Sequence, residues 1–212
     1  MTRPRIARTA TNAIAALTTV AFGVILVLGW EQWAALALGF IPARLTTGLA
    51  IDIAAAPAFL TPLTATIVHS GLLHLGFNML ILWYCGTQVE RVVGASGLVA
   101  MYIVGAFAAA GAQWLAAPMG LTPMIGASGA VSAVIGAYSL SFGRAKAVTR
   151  SPRINRWLNA LWLLAAWIVL QLMTGYIAGM EGTMLATPAH IGGFVAGLLL
   201  QRPLLLWRYR GA

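Results

Sequence analysis

The chain has 212 residues, 60% hydrophobic and only 8% charged, with a mean hydropathy of +0.87; a soluble domain carries about 25% charged residues, so a polytopic membrane protein with little mass outside the bilayer is expected. Its net charge of +9 sits in short basic patches between apolar runs, which fits orientation in a bilayer and argues against a nucleic-acid partner. The single cysteine, Cys85, excludes an internal disulfide.

In chain order, Arg3, Arg5 and Arg8 precede the first apolar run. That run is about 20 residues, too long for the h-region of a signal peptide, so it is expected to remain as a first span. Windows of about 19 residues give six spans: 12–33, 64–85, 95–115, 128–142, 158–177 and 188–207. The expected fold class is therefore all-α, a six-transmembrane-helix bundle forming one membrane domain over 1–212 with no separate soluble domain. Trp30, Trp33, Trp83, Tyr84, Trp114, Trp157, Tyr176, Trp207 and Tyr209 lie near the span ends, where interfacial aromatics belong. With the N-terminus inside, 12 of the 13 Lys and Arg residues fall on inside segments and only Arg44 falls outside. This bias supports six spans with both termini cytoplasmic.

The connection 34–63 is interrupted by Pro42, Pro57 and Pro62, yet it opens with the apolar run Ala34 to Ile41. It is expected to lie in the outer interface of the bilayer. The second span carries His69, His74 and Asn78. His74 and Asn78 are four apart and share a helix face; His69 points elsewhere and is assigned a structural role. Polar residues inside a membrane helix usually face a bundle interior or a cavity. Glu90, within Gly86 to Gly94, is expected to be structural, near the N-terminus of the third span, where a carboxylate is favoured.

Pro118, Gly120 and Pro123 then break the chain before Gly126-Ala127-Ser128-Gly129-Ala130-Val131-Ser132-Ala133. The 15 residues from Ser128 to Phe142 make about 22 Å of helix, against a hydrocarbon core of about 30 Å. With Arg144 and Lys146 at one interface, Ser128 falls roughly 8 Å below the other. Broken backbone at that depth is tolerated only when buried in protein or lining a watery cavity. The same glycines and alanines also suit a small-residue packing surface. The fifth span carries Trp162 and Trp167 and is expected to face lipid. The sixth opens Thr187-Pro188-Ala189-His190-Ile191-Gly192-Gly193, with Gly197 after it. Pro188 suits a first helical turn, and Gly193 with Gly197 makes a close-packing face. Packed on the small positions Gly129, Ala133 and Ala137, that face would bring His190 to Ser128.

The available chemistry is narrow. A zinc hydrolase of the His-Glu-x-x-His type needs a ligand spacing the three histidines lack. An aspartyl site needs two carboxylates, and Asp52 is the only aspartate. A Ser-His-Asp triad needs a buried carboxylate beside the histidine, and no expected span interior offers one. No metal and no cofactor are expected. A Ser-His dyad works when packing orients the imidazole: the base takes the serine proton and returns it to the leaving amine. Donors for the oxyanion would be the Ser128 amide and the side chains of His74 and Asn78. Taken singly, each of these residues also fits a packing or hydrogen-bonding role.

These pieces together resemble the rhomboid family of intramembrane serine proteases. The likeness rests on Gly126-Ala127-Ser128-Gly129, Ala189-His190-Ile191-Gly192-Gly193 with Gly197, His74-Leu75-Gly76-Phe77-Asn78, and Gly86, Glu90 and Gly94. It implies Ser128 as nucleophile, His190 as base, and His74, Asn78 and the Ser128 amide as the oxyanion hole. It also implies transmembrane protein substrates, a multi-pass location in a bacterial inner membrane, a first loop at 34–63, and a substrate gate and cap in the fifth span with 178–187. Two features depart from the family. The position four after the nucleophile, aromatic in some members, is Ser132, and the Trp-Arg pair of some first loops is absent. Other readings are a non-catalytic relative that binds membrane clients, and a small transporter. The first typically lacks the serine or histidine, and the second often shows inverted repeats, for which the chain has no counterpart.

Overall fold

The computed structural model describes residues 10–142, 148–177 and 186–211. Arg3, Arg5, Arg8, Arg144, Lys146 and the 178–185 part of the expected cap lie outside the described residues. The regular elements among the described residues are all helices, with no strand; an isolated bridge pairs Phe40 with Met124. The helices are α1 (Ala10–Val27), α2 (Glu31–Leu38), α3 (Pro42–Thr47), α4 (Thr61–Thr64), α5 (Leu72–Ala116), α6 (Ser128–Ser141), α7 (Pro152–Ile177) and α8 (Thr187–Arg208). Of these, α1, α5 and α8 are long and apolar enough to cross a bilayer.

Several boundaries differ from the hydropathy windows, each for a local reason. The first helix ends at Val27 rather than 33, because the chain turns at Leu28 and Gly29 and restarts as α2. The second begins at Leu72 rather than 64. Residues 58–67 form their own short turns, and Val68 is extended at φ −95°, ψ 131°. The helix then runs through the polar stretch after Cys85 as far as Gly94, whose φ of 82° and ψ of 167° interrupt α5. Only glycine adopts that backbone without strain, so 72–93 and 95–116 are two rods meeting at an angle. The fifth helix begins at Pro152, six residues ahead of the window. Hydropathy discounts Arg153 and Arg156, but the turn is held by Asn155, whose Oδ1 accepts from Thr149 N at 2.8 Å and whose Nδ2 donates to Thr149 O at 2.8 Å.

The core forms around α6. Eleven of its 14 residues are buried, and its most extensive contacts are with α5 and α8. Small residues make this possible: Gly129 faces Ala109, Gly105 faces Ala133, and Gly136 faces the Phe194 carbonyl. Without a hydrophobic drive between helices in lipid, close van der Waals approach is what holds such a bundle. By contrast α7 packs mainly on α6 and touches α5 and α8 lightly. Many of its large side chains are exposed, among them Trp157, Leu161 and Trp162.

At the end of the bundle away from Ser128, polar groups tie three helices together. The Glu90 carboxylate accepts from Ala10 N at 2.7 Å, Thr11 N at 3.0 Å and Thr11 Oγ1 at 2.6 Å. These are first-turn donors of α1 with no intrahelical partner. The helix N-terminus that meets Glu90 is thus that of α1, not that of the third span as expected from chain proximity. Arg208 of α8 donates to the carbonyls of Glu90 and Arg91, just before the break at Gly94. Replacing Glu90 by Ala orphans three donors around a buried site, at a cost of roughly 2–3 kcal/mol. Glu90→Ala should therefore lower the unfolding midpoint in detergent clearly, and Glu90→Gln less. An unchanged midpoint in Glu90→Ala would show that α1 is held by other contacts.

Candidate active site

The segment 117–127 lowers the chain into the bundle without a helix, so its backbone needs partners. It finds them in the first loop. Phe40 and Met124 exchange both N–H···O bonds at 2.9 and 2.8 Å, Ala43 N donates to Gly120 O at 3.1 Å, and Gly126 N donates to Ala65 O at 2.9 Å. The expected interfacial loop is therefore also a packing partner: Ala34, Ala37, Phe40, Ile41 and Ala43 are buried against the protein. Gly126 then takes φ 112°. A Cβ there would be strained and would also sit 2.7 Å from Cε1 and 2.8 Å from Nε2 of His74. This glycine admits both the turn into α6 and the His74 ring beside it.

Ser128 is the first residue of α6. Its side chain meets His190 near the start of α8: Nε2 and Oγ are 2.8 Å apart, with both residues buried. The approach depends on Gly193 and Gly197. Gly193 lies on the Gly129 carbonyl and Ser132 Cβ, and Gly197 on the Ala133 carbonyl, so a side chain at either would force the helices apart. His190 Nδ1 is buried and has no hydrogen-bond partner among the described residues. A serine hydroxyl donating to Nε2 places the ring proton on Nδ1, since a neutral imidazole has one donor and one acceptor nitrogen.

His74 reaches the same region from α5, and Asn78 lies one turn further along that helix. The His74 ring lies against Gly126, and its Nδ1 is 3.0 Å from Ser70 Oγ. With Ser70 donating to Nδ1, Nε2–H is the free donor. Asn78 is fully buried; its Nδ2 donates to His74 O at 2.8 Å, which leaves its second N–H uncommitted. It makes no hydrogen bond to Ser128 or His190 among the described residues. His69 is a support: its Nε2 accepts from Ala127 N at 3.3 Å, and its ring packs edge-on against His74 with centroids 5.0 Å apart.

Two neighbours of the Ser128–His190 pair were not foreseen. Trp167, expected to face lipid, is 3% exposed, whereas Trp162 is 69% exposed. The Trp167 ring stands edge-on to His190, with centroids 6.3 Å apart at 65°. Its Nε1 donates to Ser132 Oγ at 2.8 Å, and Ser132 Oγ donates to Ser128 O at 2.7 Å. One signal for this was available: residues five apart lie about 140° apart around a helix, so Trp162 and Trp167 cannot share a lipid face. Among the described residues no group of three or more His, Cys, Asp or Glu is placed to hold a metal.

The arrangement offers a buried hydroxyl, an imidazole in hydrogen-bonding reach of it, and the free amides of a helix start beside them. These are the parts of an acyl-transfer site. Residues 56–207 match the Rhomboid domain. The chain is similar to the Rhomboid protease GlpG of Pectobacterium atrosepticum, 33% identical over 135 residues, 63% of this chain and 44% of that protein. It is similar to RHOMBOID-like protein 5 of Arabidopsis thaliana, 30% identical over 139 residues, 66% of this chain and 42% of that protein. It is also similar to the Rhomboid protease GluP of Bacillus subtilis, 29% identical over 136 residues, 64% of this chain and 24% of that protein. The matched region thus spans less than half the length of each of these relatives.

Proposed function

This chain belongs to the rhomboid family, and on that premise we propose that it is an intramembrane serine endopeptidase acting on transmembrane helices of other membrane proteins. The observation that carries the reading is the 2.8 Å pairing of Ser128 Oγ with His190 Nε2 in a buried site at the first turn of α6. Three curated relatives named here share the region, and two of them are named as proteases.

In the proposed reaction, Ser128 Oγ adds to the scissile carbonyl while its proton passes to His190 Nε2. The tetrahedral oxyanion is met by the Ser128 amide, His74 Nε2–H and the uncommitted Asn78 N–H. Collapse breaks the C–N bond, and His190 returns the proton to the leaving amine. His190 then takes a proton from water as the hydroxide adds to the acyl ester; collapse releases the new carboxyl end, and the proton returns to Ser128 Oγ. No cofactor or metal takes part in any step. Water reaches the site from the outer face, and the substrate helix unwinds locally to expose its carbonyl.

The proposed membrane arrangement has six spans: α1, the two rods of α5, α6, α7 and α8. Both termini and the 143–151 connection lie on the cytoplasmic side of a bacterial inner membrane. The first loop, which exposes Leu36 and Phe59, lies in the opposite interface.

Ser128→Ala should abolish cleavage of single-span proteins in reconstituted vesicles, and also labelling by a fluorophosphonate, while the variant still folds. Cleavage retained in Ser128→Ala, above that of empty vesicles, would sink the protease reading. Asn78→Ala should keep a trace of turnover, because other donors remain; loss of one oxyanion donor costs about 10²–10³ in rate. A wild-type rate in that variant would remove Asn78 from the site. Reporter fusions after residue 150 should register as cytoplasmic and those after residue 50 as external. The reverse result at 150 would invalidate the six-span arrangement.

A further inference from the structure

We infer that Trp167 is the positioning residue for His190, with Ser132 as its anchor, so that docking of α7 against α6 sets the orientation of the imidazole. The inference rests on the reading of His190 as the general base, and it concerns what holds that ring in place.

The geometry is as follows. His190 has one hydrogen-bond partner for its ring, Ser128 Oγ, and its Nδ1 has none among the described residues. One such bond does not by itself fix the rotation of the ring about the Nε2···Oγ line, so packing has to. A fixed ring packed against the imidazole restricts that rotation, and Trp167 supplies one. Its indole stands edge-on at 6.3 Å and 65°, within the separations at which aromatic pairs attract. The indole would be equally able to turn away, but its Nε1–H is committed to Ser132 Oγ at 2.8 Å. Ser132 is itself held, because its hydroxyl proton goes to Ser128 O at 2.7 Å, one helical turn back. The hydroxyl thus acts as donor and acceptor at once, both within its capacity. The chain of contacts closes on the site itself: His190 ring, Trp167 ring, Ser132 hydroxyl, Ser128 carbonyl.

Position also matters. His190 sits on α8 and Ser128 on α6, helices locked together by glycine contacts, whereas Trp167 comes from α7, the helix with the sparser packing. A residue of a loosely held helix thereby touches the imidazole. When α7 separates from α6, the Trp167–Ser132 bond breaks and His190 loses its backing, although the glycine contacts between α6 and α8 stay intact. The small side chain at 132 suits this packing: a Cβ added at Gly193 would already lie 3.2 Å from Ser132 Cβ, and the indole N–H lies on the Ser132 hydroxyl, so a larger group at 132 would crowd α7 or α8.

The test uses the full chain in vesicles with four variants: Trp167→Leu, Trp167→Phe, Ser132→Ala and the double variant Trp167→Phe with Ser132→Ala. Trp162→Leu, a tryptophan loss on the exposed face of the same helix, is the control and should behave as wild type. Rates are expressed per site titrated with fluorophosphonate, so that misfolded protein does not count. Trp167→Leu should lower kcat about three- to tenfold, the worth of one aromatic contact, with KM changed little. Trp167→Phe keeps a ring and loses only the anchor, so it should fall less. Ser132→Ala should match Trp167→Phe, and the double variant should be no worse than either, because both remove the same bond. Undiminished kcat per titrated site in Trp167→Leu, or losses that multiply in the double variant, would overturn the inference. A second readout is independent of catalysis. The chain has three histidines, so ¹⁵N ring spectra can be assigned with His190→Ala. The His190 ring signals should be sharp in the wild type and shifted or broadened in Trp167→Leu. Identical His190 signals in both would also overturn the inference, whereas absence of Ser128-dependent cleavage in the wild type would strike only the protease reading.

Discussion

Gly193 and Gly197 lie directly on the carbonyl groups of Gly129 and Ala133, so α6 and α8 meet backbone to backbone. The separation of these helices is set by the absence of side chains, and that separation fixes everything above it. His190 stands one turn before Gly193, and Ser128 is next to Gly129. The 2.8 Å between Oγ and Nε2 is therefore a consequence of helix packing rather than of any flexible reach by the two side chains. In lipid, where apolar surface gains nothing by leaving the solvent, such close approach is the main source of cohesion. The residues that make the site possible are in this sense also those that hold the bundle together.

A helix that starts part-way down the bundle creates a second demand. The chain leading to Ser128 passes from exposed positions near Met119 and Leu121 to buried Ala127, and a backbone group left unsatisfied at the buried end costs several kcal/mol. The first loop and the residues just after it answer that demand. Phe40, Ala43 and Ala65 pair with Met124, Gly120 and Gly126, and His69 accepts the Ala127 amide. Residues 34–63 thus serve two surfaces, with an exposed apolar face outward and hydrogen-bonding groups inward. This explains why the stretch is too apolar for an ordinary loop and too broken by proline for a span.

Legibility in the sequence followed the range of the forces involved. The all-helical class, the helix start at Ser128, and the pairing of small residues in α6 with those in α8 were readable because each depends on near-neighbour spacing. The same holds for His74 and Asn78, which share a face. Helix ends were less readable. A hydropathy window counts polarity but does not see a local break such as Gly94 at φ 82°, nor a charged first turn such as Arg153 and Arg156 stabilised by Asn155. Least readable were partnerships across the fold. Nothing near Glu90 in the chain reveals that its carboxylate holds α1, 79 and 80 residues away. Trp167 was misplaced for the same reason. An apolar helix offers few clues to which of its tryptophans turns inward, and Ser132, its partner, resembles any small packing residue.

A buried imidazole that works with a serine has to be oriented, and in soluble enzymes a carboxylate beside the second ring nitrogen does this. In the interior of a membrane bundle that solution is expensive. A carboxylate removed from water costs several kcal/mol unless fully paired, and a neutral imidazole pairs with it only partly. In the inferred arrangement an indole in edge contact, with its N–H fixed, does the orienting work without burying a charge. The consequence falls on the other side of the reaction. Without a carboxylate, the imidazolium formed during the proposed proton transfer has less electrostatic support, so more of the stabilisation must come from donors aimed at the oxyanion. That is consistent with the helix start at Ser128, whose first-turn amides have no intrahelical partner, and with the His74 ring that α5 brings against Gly126. On the proposed mechanism, the polar layer around Ser128 is weighted towards meeting negative charge on the substrate, while the histidine is held by shape.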